Sequence, residues 1–398
     1  MMDTDVFIAG AGLAGSIAAL SYSKAGRNVI VADPFIGREN TKADYRTTAY
    51  LQPSKLFLER LGIWEAIEDS ATPLDVMKII DSSSVKNGDQ IKSQKEFKSA
   101  EISDLPFAWN VKNSLMRAAL KELIDNQSNC ELITASSAID LVCRESAAYV
   151  KLSSGSTVKA KLVVAADGRN SILREKAGIP IKTHRFGQKA LAFAVTHSIP
   201  HKNISTEIHN SGGPFTLVPL PDNEGKPSSA IVWMENGEKA KNLMEMEIKE
   251  FERELTVRSC KILGPLRLAS KRSLWPIISQ IADRLYSQRL ALIGETAHVV
   301  PPIGAQGLNM SLADIKVLSD LDQKYPGQLG SIDILKEYQK NRIFDIRQRV
   351  AGVSALNQIS ISSNKLVQNI RSFGLENFFQ IPAIKHSTMK LGMGSRYT

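Results

Sequence analysis

The first 33 residues constrain this chain more than any other stretch. Asp5-Val6-Phe7-Ile8-Ala9 is an apolar run of strand length that leads directly into Gly10-Ala11-Gly12-Leu13-Ala14-Gly15. A helical stretch follows through Lys24 and stops at Gly26, and a second apolar run, Asn28-Val29-Ile30-Val31-Ala32, ends at Asp33. Strand, glycine turn, helix, strand is a βαβ unit. Such a unit commits the chain to a parallel sheet with right-handed crossovers. Each glycine has a task in it: Gly10 makes the tight turn, Gly12 lets backbone approach a pyrophosphate, and Gly15 permits close helix-on-strand packing. The helix start, Leu13 and Ala14, then offers free N–H groups and partial positive charge to a phosphate. Asp33 stands where a carboxylate can bind ribose hydroxyls. A bare glycine triplet is weak support, but this context favours a dinucleotide site over a merely glycine-rich turn.

The 398 residues exceed what one hydrophobic core usually serves, so two intimately joined domains are expected. With 43% hydrophobic and 23% charged residues, disorder and coiled coil are excluded. Three cysteines, Cys130, Cys143 and Cys260, are too few and too scattered for a disulfide framework or a zinc or iron–sulfur site, which points to a reducing compartment and no metal. His197 and His201 have helix-like spacing, but Pro200 lies between them, so a solvated turn is expected there. The apolar run from Val6 to Leu20 follows Asp3 and Asp5 and is broken by the glycine turn, unlike a secretory signal. No stretch reaches the roughly 20 apolar residues a bilayer demands, so an integral membrane protein is not expected. The net charge of +9 is dispersed and no nucleic-acid motif accompanies it, which leaves weak contact with an anionic membrane surface open and disfavours nucleic acid.

Further along, Ser114 to Asn126 reads as a helix, and Lys161-Leu162-Val163-Val164-Ala165-Ala166 repeats the logic of the first strand before Asp167-Gly168-Arg169-Asn170-Ser171. From about Ile181 to Trp275 the pattern becomes alternating and β-rich, with Pro219-Leu220-Pro221-Asp222 as a turn. A third nucleotide-type strand appears at Arg289–Gly294, and after Gly307 the chain reads as helices to its end. The expected fold is α/β: a discontinuous Rossmann-like nucleotide domain (1–73, 107–180 and 285–320), an antiparallel β-sheet substrate domain (74–106 and 181–284) and a C-terminal helical region (321–398). The most specific block is Gly294-Glu295-Thr296-Ala297-His298-Val299-Val300-Pro301-Pro302-Ile303-Gly304-Ala305-Gln306-Gly307-Leu308-Asn309, whose glycines and prolines leave N–H groups of a following helix free to face a ligand.

With these three blocks in order, together with Asp44-Tyr45-Arg46-Thr47-Thr48-Ala49, Leu61-Gly62-Ile63-Trp64 and Tyr338-Gln339-Lys340-Asn341-Arg342, nearly the whole chain resembles the FAD-dependent aromatic hydroxylases of the para-hydroxybenzoate hydroxylase type. Within them it is most similar to the ring hydroxylases of ubiquinone biosynthesis. The resemblance implies that Gly10, Gly12 and Gly15, with Leu13 and Ala14, hold the FAD pyrophosphate, and that Asp33 holds the adenosine ribose. It places Arg46 at a flavin phosphate or beside the isoalloxazine and Asn113 as a polar flavin contact. Asp167 and Gly168 serve the FAD pyrophosphate and the passing nicotinamide nucleotide. Gly294 and Glu295 contact the ribityl and phosphate region, although Glu295 stands where the family usually has Asp. Gly307, Leu308 and Asn309 offer N–H groups to the pyrimidine edge, with Pro302 and Gly304 beside the flavin.

The implied chemistry is borne by the cofactor: NAD(P)H reduces the flavin, O2 gives a C4a-hydroperoxide, and one oxygen passes to a phenolic ring. No residue is assigned as acid or base; His298 reads as a structural or pocket-edge histidine. The expected substrate is a prenylated phenol of the ubiquinone pathway. The expected setting is cytoplasmic, with peripheral contact to the inner face of the membrane or to other pathway proteins left open. An apolar tail, Phe373, Phe378, Phe379, Ile381 and Ile384, would serve that contact. The alternatives are a same-fold enzyme acting on a soluble phenol or another metabolite, including a geranylgeranyl-type reductase, and a non-catalytic flavin-binding subunit.

Overall fold

The computed structural model describes residues 1–36, 44–82, 91–210, 212–361 and 382–393. The expected βαβ unit is present: strand Met2–Ala9, helix Leu13–Lys24 and strand Val29–Ala32. Strand Thr157–Ala165 pairs parallel with the other edge of Met2–Ala9, and Leu290–Leu292 pairs parallel beyond it. Cys130–Ile133 completes five parallel strands on the far side, next to Val29–Ala32. Val6, Phe7, Ile8, Val163 and Val164 are wholly buried, as near-continuous apolar runs should be when both faces of a sheet are covered. Helix Leu13–Lys24 is apolar on most sides because it lies between this sheet and the helices Asn113–Asp125 and Gln306–Lys324.

A second sheet of nine strands is built mainly from Ile181 to Ala282, with Val76–Asp81 and Ser93–Lys98 at one end. Its pairings are antiparallel except for Ile204–Asn210 beside Val76–Asp81, which run parallel. The short strand His298–Val299 joins this sheet rather than the nucleotide sheet, so the third sequence block stitches the two together. A three-stranded sheet, Thr47–Leu51, Ala108–Lys112 and Thr72–Leu74, stands between them. Long helices close the structure: Gln306–Lys324, Ile332–Ile361 and Pro382–Met393.

Three local expectations need correction. Pro219-Leu220-Pro221-Asp222 is part of strand Gly213–Asn223, not a turn; Pro221 sits where the register slips, so its missing N–H breaks no ladder bond. The hairpin turn falls at Glu224 and Gly225, both with positive φ. Within the stretch read as β-rich lie two amphipathic helices, Gly237–Glu245 and Ile248–Arg258, whose Leu243, Phe251 and Leu255 cover the back of the large sheet. His197 is buried rather than solvated: its ring bonds Ile199 O and Ser229 Oγ, and burial pushes its pKa down. The apolar tail residues lie outside the described residues, as does the side chain of Ile384.

Candidate active site

Parallel strands deliver their C-terminal ends to one edge, and here Ala9, Ala32, Ala165 and Leu292 end side by side. Ligands of open α/β sheets bind at that edge. The glycine turn is packed against it without slack. A Cβ on Gly15 would lie 1.9 Å from Gly10 O, and one on Gly10, where φ is +95°, would lie 2.5 Å from Ala166 O. Gly12 differs, since a Cβ there meets nothing within 4 Å among the described residues and points into open cavity. As N-cap of Leu13–Lys24 it leaves the first helical N–H groups uncapped by any side chain, and no acidic residue occupies the first turn. A second helix start repeats this arrangement: Ala305, at φ 56°, precedes Gln306–Lys324, again with neither a side-chain cap nor an acidic residue in the first turn. Backbone strain of this kind at a non-glycine residue is a mark of functional sites.

Both helix starts open into one continuous cavity of about 3620 Å³. Single drug-sized ligands occupy about 300–1,000 Å³, so there is room for a dinucleotide and a further molecule. Gly10, Gly12, Leu13, Ala14, Gly15, Asp33, Arg46, Asn113, Asp167, Gly168, Glu295, Pro302, Gly304, Gly307 and Leu308 all line it. Gly294 and Asn309 do not. Gly294, at φ 57°, turns the chain against Ser311 and Ala14, while the Asn309 side chain clamps Leu51 N, Ala49 O and Ala305 O.

The predicted residues are held in place by specific bonds. Asp33 accepts from Ala11 N at 2.8 Å, Phe35 N at 2.7 Å and Ile36 N at 3.1 Å, so its carboxylate anchors the glycine loop as well as lining the cavity. Asp167 and Gly168 are tied to the third block through Thr296: its Oγ1 donates to Asp167 Oδ1 at 3.2 Å and accepts from Gly168 N at 3.1 Å. Arg174 reaches Thr296 O at 2.9 Å, and Ser171 caps its helix. Asn113 accepts from Thr48 Oγ1 at 2.8 Å.

Arg46 grips Asp44 with two nitrogens, at 2.8 and 2.9 Å, and lies over the Trp275 ring at 4.1 Å, joining the loop to the large sheet. Arg117 holds Asp44 from the other side at 3.1 Å. Burial works to raise the Asp44 pKa, but these guanidiniums and the Arg46 N–H hold it down at about 2. A depressed carboxylate pKa stabilises the fold above the unfolded value of about 3.9 and loses that contribution as pH falls through the folded value. Asp44→Asn is therefore expected to cost about 2 kcal/mol at neutral pH. Acid unfolding curves should show the difference from wild type shrinking between pH 4 and 2.

One network was not anticipated as such. Asp314, wholly buried, accepts from His298 Nε2 at 2.7 Å, Arg342 Nε at 2.8 Å and Gly294 N at 3.1 Å. Burial raises its pKa less than His298 and Arg342 lower it, so the carboxylate stays charged. His298 lines the cavity, which makes it a pocket-edge residue locked from behind. The sequence signal was the Asp five residues beyond Gly307-Leu308-Asn309, unreadable without knowing that Arg342 lies opposite.

These features fit FAD: two uncapped helix starts, a Gly12 position that a side chain would fill, and a cavity of dinucleotide size. Residues 3–351 match the family described as FAD binding domain. Among curated proteins, the chain is 29% identical over 396 residues to ubiquinone hydroxylase UbiL of Rhodospirillum rubrum, covering 98% of this chain and 90% of that one. It is 24% identical to 3-demethoxyubiquinol 3-hydroxylase of Escherichia coli, covering 98% of each. Among solved structures, p-nitrophenol 4-monooxygenase PnpA of Pseudomonas putida superposes with a TM-score of 0.78 at 17% identity over the whole of both chains, a likeness of fold. The match over most of the chain and the geometry of the two helix starts agree: this protein belongs to the FAD-binding-domain family and takes FAD as its cofactor.

Proposed function

We propose that the protein is an FAD-dependent monooxygenase that hydroxylates the aromatic ring of a prenylated phenol in ubiquinone biosynthesis, with O2 and NAD(P)H as co-substrates. One observation carries this reading: the cavity is continuous from the glycine loop to the mostly apolar face of the large sheet, so cofactor and a greasy substrate share one space. When bound, FAD supplies the redox chemistry. The chain's part is to bind, orient and exclude water. In this reading Gly12 and the N–H groups of Leu13, Ala14 and Gly15 take the pyrophosphate, Asp33 the ribose, and Asp167 and Gly168 the phosphates of FAD and of the passing nicotinamide. The uncapped N–H groups of Gly307 and Leu308 face the flavin edge, with Pro302 and Gly304 alongside, and Glu295 lies near enough to Arg46 to be felt electrostatically. Gly294 and Asn309 act through the turn and the clamp described above.

The relatives named as ubiquinone hydroxylases support the pathway, and the apolar wall supports a lipid-like substrate. Residues 1–73, 107–180 and 285–320 would form the FAD domain, 74–106 and 181–284 the substrate domain, with 321–398 the helical cover. No helix among the described residues is long and apolar enough to cross a membrane. A prenylated substrate resides in the bilayer, so the proposal places the protein on the cytoplasmic side, in peripheral contact with the membrane.

Lipid extracts of a deletion strain are expected to lack ubiquinone and to accumulate a precursor one ring oxygen short, identified by mass. Normal ubiquinone in that strain would remove the pathway assignment. Rapid oxidation of NAD(P)H with hydroxylation of a soluble phenol, and none of a prenylated one, would favour a different metabolite. Flavin that binds and never turns over would favour a non-catalytic subunit.

A further inference from the structure

Helix Pro382–Met393 turns one face to the cavity and another to solvent, and its hold on the rest of the molecule is slight. Lys385, Met389 and Met393 are spaced four apart, so they share a face. Met389 and Met393 line the cavity and are each 8% exposed, yet neither belongs to the apolar cores behind the sheets. At one end Lys385 Nζ lies 2.7 Å from each carboxylate oxygen of Glu101 and 5.5 Å from the centre of the Phe97 ring, which also lines the cavity. His386 Nε2 stands 3.7 Å from the same carboxylate. At the other end Gly392 O, one of the last helical carbonyls, accepts from Gln306 Nε2 at 3.1 Å. The helix therefore bridges the segment Ser93–Glu101 and the third sequence block. The cavity it borders holds apolar Met77, Ile79 and Val218 and the ion pair of Glu207 with His209, at 2.8 Å; a dry chamber suits that pair and a greasy substrate alike. The Lys385 and Glu101 side chains are 19% and 29% exposed, and an ion pair of that kind shifts an equilibrium about 1.5–5-fold. That is too little to anchor a core element and the right size for one that opens in every turnover.

We propose that helix Pro382–Met393 is an opening cover of the cavity, latched to its rim by Lys385 and Glu101. As a cover for hydroxylation it rests on the function proposed above. Closed, the helix presents Met389 and Met393 to the chamber, and methionine, unbranched and flexible, refits around ligands of different shape. Open, it frees a way in for the substrate and a way out for the hydroxylated product. An element held by a few partly exposed contacts is drawn from the low-stability end of a structure, where lids belong, and on closing it bars water from the reacting centre. The Gln306 amide that holds Gly392 O also holds Gly304 O at 2.7 Å, so the closed helix touches the segment proposed to flank the flavin.

Two measurements on the full, FAD-loaded chain test it: hydrogen exchange of the backbone amides of 382–393, and hydrogen peroxide released per NADPH oxidised in the presence of O2 and a short-chain 2-prenylphenol. Glu101→Gln, Lys385→Met and the double variant are each expected to exchange those amides about 2–5-fold faster than wild type, with FAD content unchanged. Both single changes break the same contact, so the double variant should match them rather than add their effects. Peroxide per NADPH should rise by a similar factor in all three, because a chamber that opens too readily lets O2 be reduced without its oxygen reaching the ring. If one single variant does not fold, the other carries the comparison. Wild-type exchange in every folded variant, or faster exchange with no added peroxide, would overturn the cover and leave the hydroxylase reading standing. A wild-type protein that never hydroxylates the phenol would bring down that reading, while exchange, which needs no turnover, still decides whether the pair latches the helix.

Discussion

Gly12→Val is expected to yield a folded, colourless protein whose affinity for FAD is at least about 100-fold weaker than wild type. Gly12 has φ of −65°, a value open to any residue, and a Cβ there meets no described atom within 4 Å, so the apo-protein has no reason to lose stability. The added side chain would occupy the approach to the uncapped start of Leu13–Lys24, where backbone and phosphate must come within hydrogen-bonding distance. Losing several charge-assisted bonds of about 1.5–3 kcal/mol each accounts for the loss in affinity. Gly15→Ala is the internal contrast. Its Cβ would lie 1.9 Å from the backbone oxygen of Gly10, so helix and strand must separate and the apo-protein itself should melt lower. Flavin titration with parallel melting curves separates the two cases. If Gly12→Val bound FAD normally, the glycine loop would not be the phosphate site.

Asp314→Ala should produce the largest loss of stability of any single cavity-side change, about 3–5 kcal/mol by urea denaturation of the apo-protein. Its carboxylate is wholly buried and serves three donors at once, and removing it leaves the Arg342 guanidinium, itself 0% exposed, without its charged partner on helix Gln306–Lys324. Arg342 keeps Asp345 at 3.0 Å and Met310 O at 3.2 Å, which limits the loss but does not replace the buried anion. The effect should reach the cofactor too, because the same carboxylate holds Gly294 N and the cavity-lining His298. Asp333→Ala, an exposed residue paired with Lys336 one turn away and with no other cation among the described residues, is the control and should leave the midpoint unmoved.

The parts of this fold readable in the sequence were those whose physics is local. The strand-turn-helix-strand opening, the helix near Ser114 and the apolar strand ending at Ala165 each follow from periodicity and a few glycines over a dozen residues. Most of the residues proposed for the cofactor also line one cavity, since a glycine loop and a helix start specify their own geometry. What stayed hidden depends on partners distant in the chain. Asp314 and Arg342 meet across 28 residues, and Thr296 ties to Asp167 across 129. Glu207 and His209 read as an ordinary alternating strand until the cavity shows which face they occupy. The helices Gly237–Glu245 and Ile248–Arg258 were missed because their helical periodicity lies between strongly β-patterned neighbours.

In this reading the ends of four parallel strands and two uncapped helix starts form one cradle for a single FAD beside a greasy chamber. Titrating purified apo-protein with FAD, followed by diffraction from the yellow complex, tests it most directly. One FAD per chain is expected, with its pyrophosphate at Gly12 and its ring between Pro302 and Arg46, facing the large sheet. A protein that stays colourless under saturating FAD, or a flavin found elsewhere on the surface, would contradict it.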